Sequence, residues 1–193
     1  NISVIFNSVD ANDFNNRTEK QSFLLAVGAS WKHKNIHTLL DAHAFWQTKY
    51  RLIIVCGRTE YADFLHQRIN SLGLQDLVEL KHELSFSDLK SLYASASALV
   101  YPSIDEGFGI PPIEAMASGT PVIVSDIPVF HEVLGQSAIY VSPDDISSWE
   151  SAFNILQTTA DEFIARGKEQ VKLYDEKNMS RMITEWLKKV STS

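Results

Sequence analysis

Two glutamates, Glu106 and Glu114, stand on either side of a glycine turn in the run Glu106-Gly-Phe-Gly-Ile-Pro-Pro-Ile-Glu114. A carboxylate accepts paired hydrogen bonds, so two of them around one ligand suit the hydroxyls of a polyol. Glycines placed between them suit positive φ or close approach of a ligand to the backbone. Pro112 restricts Pro111 and Pro111 restricts Ile110, so the run predicts a helix opening at about Pro112, where no N–H is needed, with Glu114 in its first turn. The N–H groups of Gly107, Phe108, Gly109, Ile110 and Ile113 would then meet a ligand at the positive end of a helix dipole. Glu114 alone reads equally well as a first-turn carboxylate favoured by that dipole. The nine residues together read as a polyol and phosphate cradle.

A second group of charges lies in Ala29-Ser-Trp-Lys-His-Lys-Asn35, where Lys32, His33 and Lys34 follow an apolar run and suit an anionic ligand. Ser85, with Asp88 three residues on, has the spacing of a helix N-cap. His37 and His43 are too far apart for an i, i+4 zinc pair. His131 and Glu132 follow Pro128, where a short helix is expected and a ligand contact is open. Cys56 ends the run Leu52-Ile-Ile-Val55 and reads as a small buried strand residue; as the one cysteine it forms no internal disulfide. There is no Asp-x-Asp pair, no zinc spacing and no Gly-x-Ser-x-Gly elbow. Neither a metal nor a cofactor is expected.

The elements that must position these residues alternate along the chain. Apolar runs at Phe23 to Val27, Leu52 to Cys56, Val78 to Leu80, Ala98 to Tyr101, Val122 to Val124 and Ala138 to Val141 predict buried strands. Helical patterns follow them at Asn35 to Thr48, Tyr61 to Ser71, Ser85 to Ala94, after Pro112, near Phe130, and at Ile146 to Leu156. Alternating strands and helices imply an α/β fold, a Rossmann-like parallel sheet flanked by helices, with ligands beyond the carboxyl ends of the strands. From Asp161 to Val190 the pattern is an amphipathic helical tail with Phe163, Val171, Met179, Met182, Ile183 and Trp186 as apolar positions. Lys188 and Lys189 suit its C-terminus.

With 193 residues the chain can bury one core, and its net charge of −7 argues against a nucleic-acid surface. No apolar run approaches the roughly 20 residues that span a bilayer, and no signal sequence is evident.

The longer run Tyr101-Pro-Ser-Ile-Asp-Glu-Gly-Phe-Gly-Ile-Pro-Pro-Ile-Glu-Ala-Met-Ala-Ser-Gly-Thr-Pro-Val-Ile-Val-Ser-Asp126 resembles the signature of the large retaining GT-B glycosyltransferase family (glycosyl transferases group 1, family 4 type). Its mark is two glutamates separated by seven residues. Val27-Gly28 followed by Lys34-Asn35, the run Asp88 to Ala96, and His131-Glu-Val-Leu-Gly135 stand in the family's order. The resemblance implies the C-terminal half of a GT-B fold, one of two Rossmann-like domains facing across a cleft. Residues 1–20 would be an interdomain linker and entry segment, because Ile5 to Asp10 resembles the family's Asn-Gly-Val-Asp with Ser8 at the glycine. Residues 21–160 would bind the nucleotide sugar, and 161–193 would form the C-terminal helical tail.

The same resemblance implies roles. Glu106 would contact donor-sugar hydroxyls and Glu114 the ribose. Gly28, Gly107, Phe108, Gly109 and Ile110 would line the sugar and diphosphate, Lys34 would bind the diphosphate, and the backbone at Ser85 would meet the base. Glu106 and Lys34 are the catalytic candidates. Ala29 replaces an arginine that many relatives carry, leaving Lys32 or His33 as a second cation. The activity implied is transfer of a hexose, mannose among the candidates, from a nucleotide diphosphate sugar to a glycan or lipid-linked acceptor, with retention and with the acceptor held by the N-terminal domain. No nucleic-acid partner is expected. The location implied is cytoplasmic, or peripheral at the inner face of the plasma membrane through that other domain. A nucleotide-sugar-binding module without activity of its own and a GT-B-fold epimerase are the alternatives; a phosphorylase would need a pyridoxal-phosphate lysine context not found here.

Overall fold

The computed structural model describes residues 7–14, 18–143 and 145–191, so the linker expectation at Ile5 and Phe6 lies outside the described residues. Among the described residues six strands form one parallel sheet: β1 (Phe23–Val27), β2 (Arg51–Val55), β3 (Val78–Lys81), β4 (Ala98–Tyr101), β5 (Val122–Ser125) and β6 (Ile139–Val141). Every residue of β1, β4 and β5 is buried, which is why these strands read as continuous apolar runs rather than alternating ones. Successive side chains still point to opposite faces. Leu24 therefore joins a core with Trp46, Ile54, Trp149 and Phe153, while Leu25 joins a second with Tyr93, Leu99, Ile113 and Phe130.

The spatial order is β3-β2-β1-β4-β5-β6. The chain builds outward from β1 to β3, then crosses back to lay β4 on the other side of β1, with Leu24 opposite Ala98 and Leu25 opposite Leu99. At that reversal the connections leave β1 and β4 in opposite directions, and in sheets of this kind ligands bind beyond the carboxyl ends of such strands.

The helices are α1 (Ile36–Asp41), α2 (Glu60–Ser71), α3 (Phe86–Ser95), α4 (Ile110–Ala117), α5 (Pro128–Leu134), α6 (Ser147–Val171) and α7 (Glu176–Ser191). Three differ from the sequence reading. The helix expected to run from Asn35 to Thr48 stops at Asp41, and a tight turn at His43–Phe45 follows. That turn lets Trp46 enter the core, fully buried, with its indole Nε1 donating to Leu39 O at 2.9 Å.

The helix expected to end at Leu156 continues to Val171, kinked at Thr159 (φ −132, ψ 17). There the hydroxyls of Thr158 and Thr159 donate to carbonyls of Asn154 and Ile155, a local competition that bends helices. The tail is therefore the end of α6, a short turn at Lys172–Tyr174, and α7. Val171 and Met179 are buried, whereas Ile183 and Trp186 are exposed. Val9 N donates to Tyr174 O at 3.0 Å, tying the entry segment to that turn. The third difference, the start of α4, belongs to the site. Among the described residues no helix is long and apolar enough to cross a membrane.

Candidate functional site

Lys34 is placed by the loop that leaves β1. Gly28 begins it at φ 74, and Lys32–Lys34 form one tight turn closed by Asn35 in the left-handed region (φ 57), where asparagine is tolerated. The loop that leaves β4 is stitched to it. Ile104 N donates to His33 O at 2.9 Å, and the buried Ser103 hydroxyl reaches the same carbonyl at 3.2 Å. These bonds bring Lys34 Nζ to 2.5 Å from Glu106 Oε1 and 2.8 Å from the Tyr101 hydroxyl, which it also approaches over the ring face at 5.1 Å. The Lys34 and Glu106 side chains are 14% and 11% exposed, so the pair is nearly withdrawn from water and its charge-assisted bonds are strong ones. Burial, and then the Glu106 carboxylate, push the Tyr101 phenol far above its ordinary range and keep it neutral.

Between Glu106 and Glu114 the backbone turns at Gly109, at φ 94. A Cβ there would lie 2.7 Å from Phe130 Cε1, so both the dihedral and the packing require glycine. The helix begins at Ile110 rather than at Pro112. Gly109 caps it and both prolines occupy the first turn, where the missing N–H costs nothing; this context outweighs the bias of a residue before proline away from helix. With this earlier start Ile113 is the fourth helical residue, where the N–H faces the helix's own ladder, so Ile110 supplies the first amide; no Cβ contact within 4 Å would close the space at Gly107.

Glu114 is half-buried and its Oε2 accepts from the Tyr93 hydroxyl at 2.8 Å. Burial raises the carboxyl above its ordinary 4.5, and the Tyr93 bond offsets part of that rise. A carboxyl whose folded pKa is raised gives stability that is present below 4.5 and lost as pH climbs through the folded value. Glu114→Gln, which keeps an acceptor for Tyr93, should therefore be more stable than the wild type at about pH 7, with the difference vanishing near pH 4. Thermal unfolding across that window checks it; an advantage that persists at the acid end would show that burial of charge is not its cause.

The structure thus brings Lys34 and Glu106 into contact and sets Glu114 close enough that both carboxylates act on the Tyr101 phenol. Gly107, Phe108, Gly109 and Ile110 lie between the two carboxylates, and Gly28 lies at the base of the Lys34 loop. Ser85 is an N-cap: its hydroxyl accepts from Asp88 N at 3.1 Å and donates to Asp88 Oδ2 at 2.6 Å. His131 is paired with Asp126 at 2.5 Å and stacked on Tyr140, ring centres 4.2 Å apart. Among the described residues no cluster of three His, Cys, Asp or Glu could hold a metal ion.

Two residues escaped the sequence reading, Tyr93 and Tyr101, each holding one of the carboxylates or its partner. The available signal was an amphipathic residue in a buried segment, whose hydroxyl must find a partner.

The family described as glycosyl transferases group 1 matches residues 9–170. The O-antigen chain mannosyltransferase RfbU of Salmonella typhimurium is 58% identical over 186 residues, covering 96% of this chain and 52% of that protein. O-antigen chain mannosyltransferase B of Escherichia coli is 32% identical, over 82% of this chain and 43% of its own length. The chain spans about half the length of the curated relatives it matches. Among solved structures, Anabaena HepE in complex with UDP and glucose superposes with a TM-score of 0.83 at 22% identity, over 97% of this chain and 57% of that one. The C-terminal domain of a Francisella tularensis glycosyl transferase group 1 protein, LpcC, superposes with a TM-score of 0.74 at 19% identity, over 87% of this chain and 99% of that one. The parallel sheet is thus that of the C-terminal half of a GT-B fold, and the chain belongs to the glycosyl transferases group 1 family.

Proposed function

We propose that this chain is the donor-binding half of a mannosyltransferase that moves mannose, with retention, from a nucleotide diphosphate sugar to a glycan or lipid-linked acceptor. The observation that carries this is the meeting of Lys34 and Glu106 beyond β1 and β4, where the strand order reverses and Glu114 shares the locality. Lys34 and the N-terminal end of α4 face the diphosphate, whose negative charge grows as the glycosidic bond breaks. Glu106 accepts hydrogen bonds from the sugar hydroxyls, Glu114 from the ribose. Gly28, Gly107, Phe108, Gly109 and Ile110 line the sugar and diphosphate, and the backbone beside Ser85 meets the base. No step is assigned to a metal.

Mannose is taken from the relatives, two of which carry that activity in their names. Residues 1–20 then serve as the linker, 21–160 as the nucleotide-sugar domain and 161–193 as the helical tail. The acceptor is held by the remaining half of the protein, which would bring a lipid-linked acceptor to the inner face of the plasma membrane.

Calorimetry of this chain with GDP, UDP, ADP and their sugars tests the reading. One base should bind in preference to the others; no binding of any of them at about 1 mM, a free energy near −4 kcal/mol, would remove the site assignment. In the whole enzyme, Glu106→Ala should abolish transfer.

A further inference from the structure

We propose that Glu106 competes with the diphosphate for Lys34, and thereby sets the preference for a nucleotide sugar over a spent nucleoside diphosphate. This inference rests on the donor-binding reading. A lysine ammonium has three N–H donors. Two of those on Lys34 are engaged, by Glu106 Oε1 at 2.5 Å and by the Tyr101 hydroxyl at 2.8 Å. With both charged side chains largely out of water, each charge is compensated by the other. Removing one partner of such a pair leaves a buried charge uncompensated.

One donor of Lys34 remains, so a diphosphate that takes more than that single bond draws Lys34 from Glu106. Glu106 is then a carboxylate without its cation, beside an arriving anion and in a medium that screens poorly. A donor that still carries its sugar relieves this, because its hydroxyls donate to the released carboxylate. A nucleoside diphosphate that has lost its sugar offers no such donors. The same residue therefore favours the donor complex and disfavours the product complex, a specificity obtained by leaving a charge unpaired against the wrong ligand. Product release is promoted by the return of Glu106 to Lys34.

Glu106→Gln keeps the shape and removes the competing charge. Dissociation constants for GDP, GDP-mannose, UDP and UDP-glucose, measured by calorimetry on the wild type, Glu106→Gln, Lys34→Met and the double variant, test the proposal. For the base that binds, Glu106→Gln should tighten the nucleoside diphosphate about tenfold, because Lys34 exchanges a charged acceptor for an uncharged one and gives up the weaker bond more readily. The nucleotide sugar should gain less or weaken, so the preference for the sugar-bearing ligand collapses. In the Lys34→Met background the gain should disappear. A merely structural role for Glu106 would weaken both ligands together.

Unchanged or weaker nucleoside diphosphate binding by Glu106→Gln overturns the proposal. So does a gain that survives without Lys34, which would be plain charge repulsion. If none of the four proteins binds any of the ligands, the donor-binding reading fails and takes this inference with it.

Discussion

Lys34→Met should lower affinity for the nucleoside diphosphate by about 100-fold and abolish transfer by the whole enzyme. A hydrogen bond to a charged group contributes about 1.5–3 kcal/mol, and each 1.4 kcal/mol is tenfold in affinity. The upper end applies because Lys34 is only 14% exposed and is held by the Tyr101 hydroxyl. The variant should also lose stability, since it strands Glu106, 11% exposed, with no cation. Breaking a buried pair by removing one partner costs about 3 kcal/mol at the lower end. Calorimetry reads the first effect and urea denaturation the second. Affinity within a few-fold of wild type would show that Lys34 holds the loop together without touching the ligand.

Gly109→Ala should destabilise the fold by about 3 kcal/mol. Part of this is the left-handed backbone at φ 94, which costs an L-residue with a Cβ about 1–2 kcal/mol. The rest is overpacking, typically about 1–3 kcal/mol. The new Cβ would lie 2.7 Å from Phe130 Cε1, and that ring cannot withdraw because it is fully buried and packed edge-on to Tyr101 at 5.9 Å. Gly107→Ala makes the contrast: a Cβ there meets nothing within 4 Å, so the change in stability should stay below about 1 kcal/mol. Equal urea midpoints for wild type and Gly109→Ala would mean that Phe130 does not wall this turn.

Much of the framework is local and was legible in the chain. Six strands follow from short apolar runs bounded by turn residues, because burial on both faces demands such runs. The Ser85 cap follows from spacing alone, since its hydroxyl must reach an amide three residues on. The approach of Glu106 and Glu114 is nearly as local: one strand end, one glycine turn and the first turn of α4 join them.

Other features depend on partners far along the chain. α1 stops early because Trp46 must reach the core, and the sequence near Asp41 carries no helix-breaking residue to announce it. α4 starts early because Gly109, shaped by Phe130 from α5, provides the cap that lets Ile110 and two prolines enter the first turn.

The sequence by itself, through motif and family resemblance, picked out Lys34, Glu106 and Glu114 and the kinds of ligand they suit. Only the tertiary structure decided that Lys34 and Glu106, 72 residues apart, form an ion pair, and that Tyr101 and Tyr93 hold the charged groups in place. The physical reason is that local patterns report which faces are buried and where helices begin, whereas the order of strands is settled by pairing between distant segments. Placing β4 beside β1 puts the two loops together, and no residue within either loop encodes that adjacency.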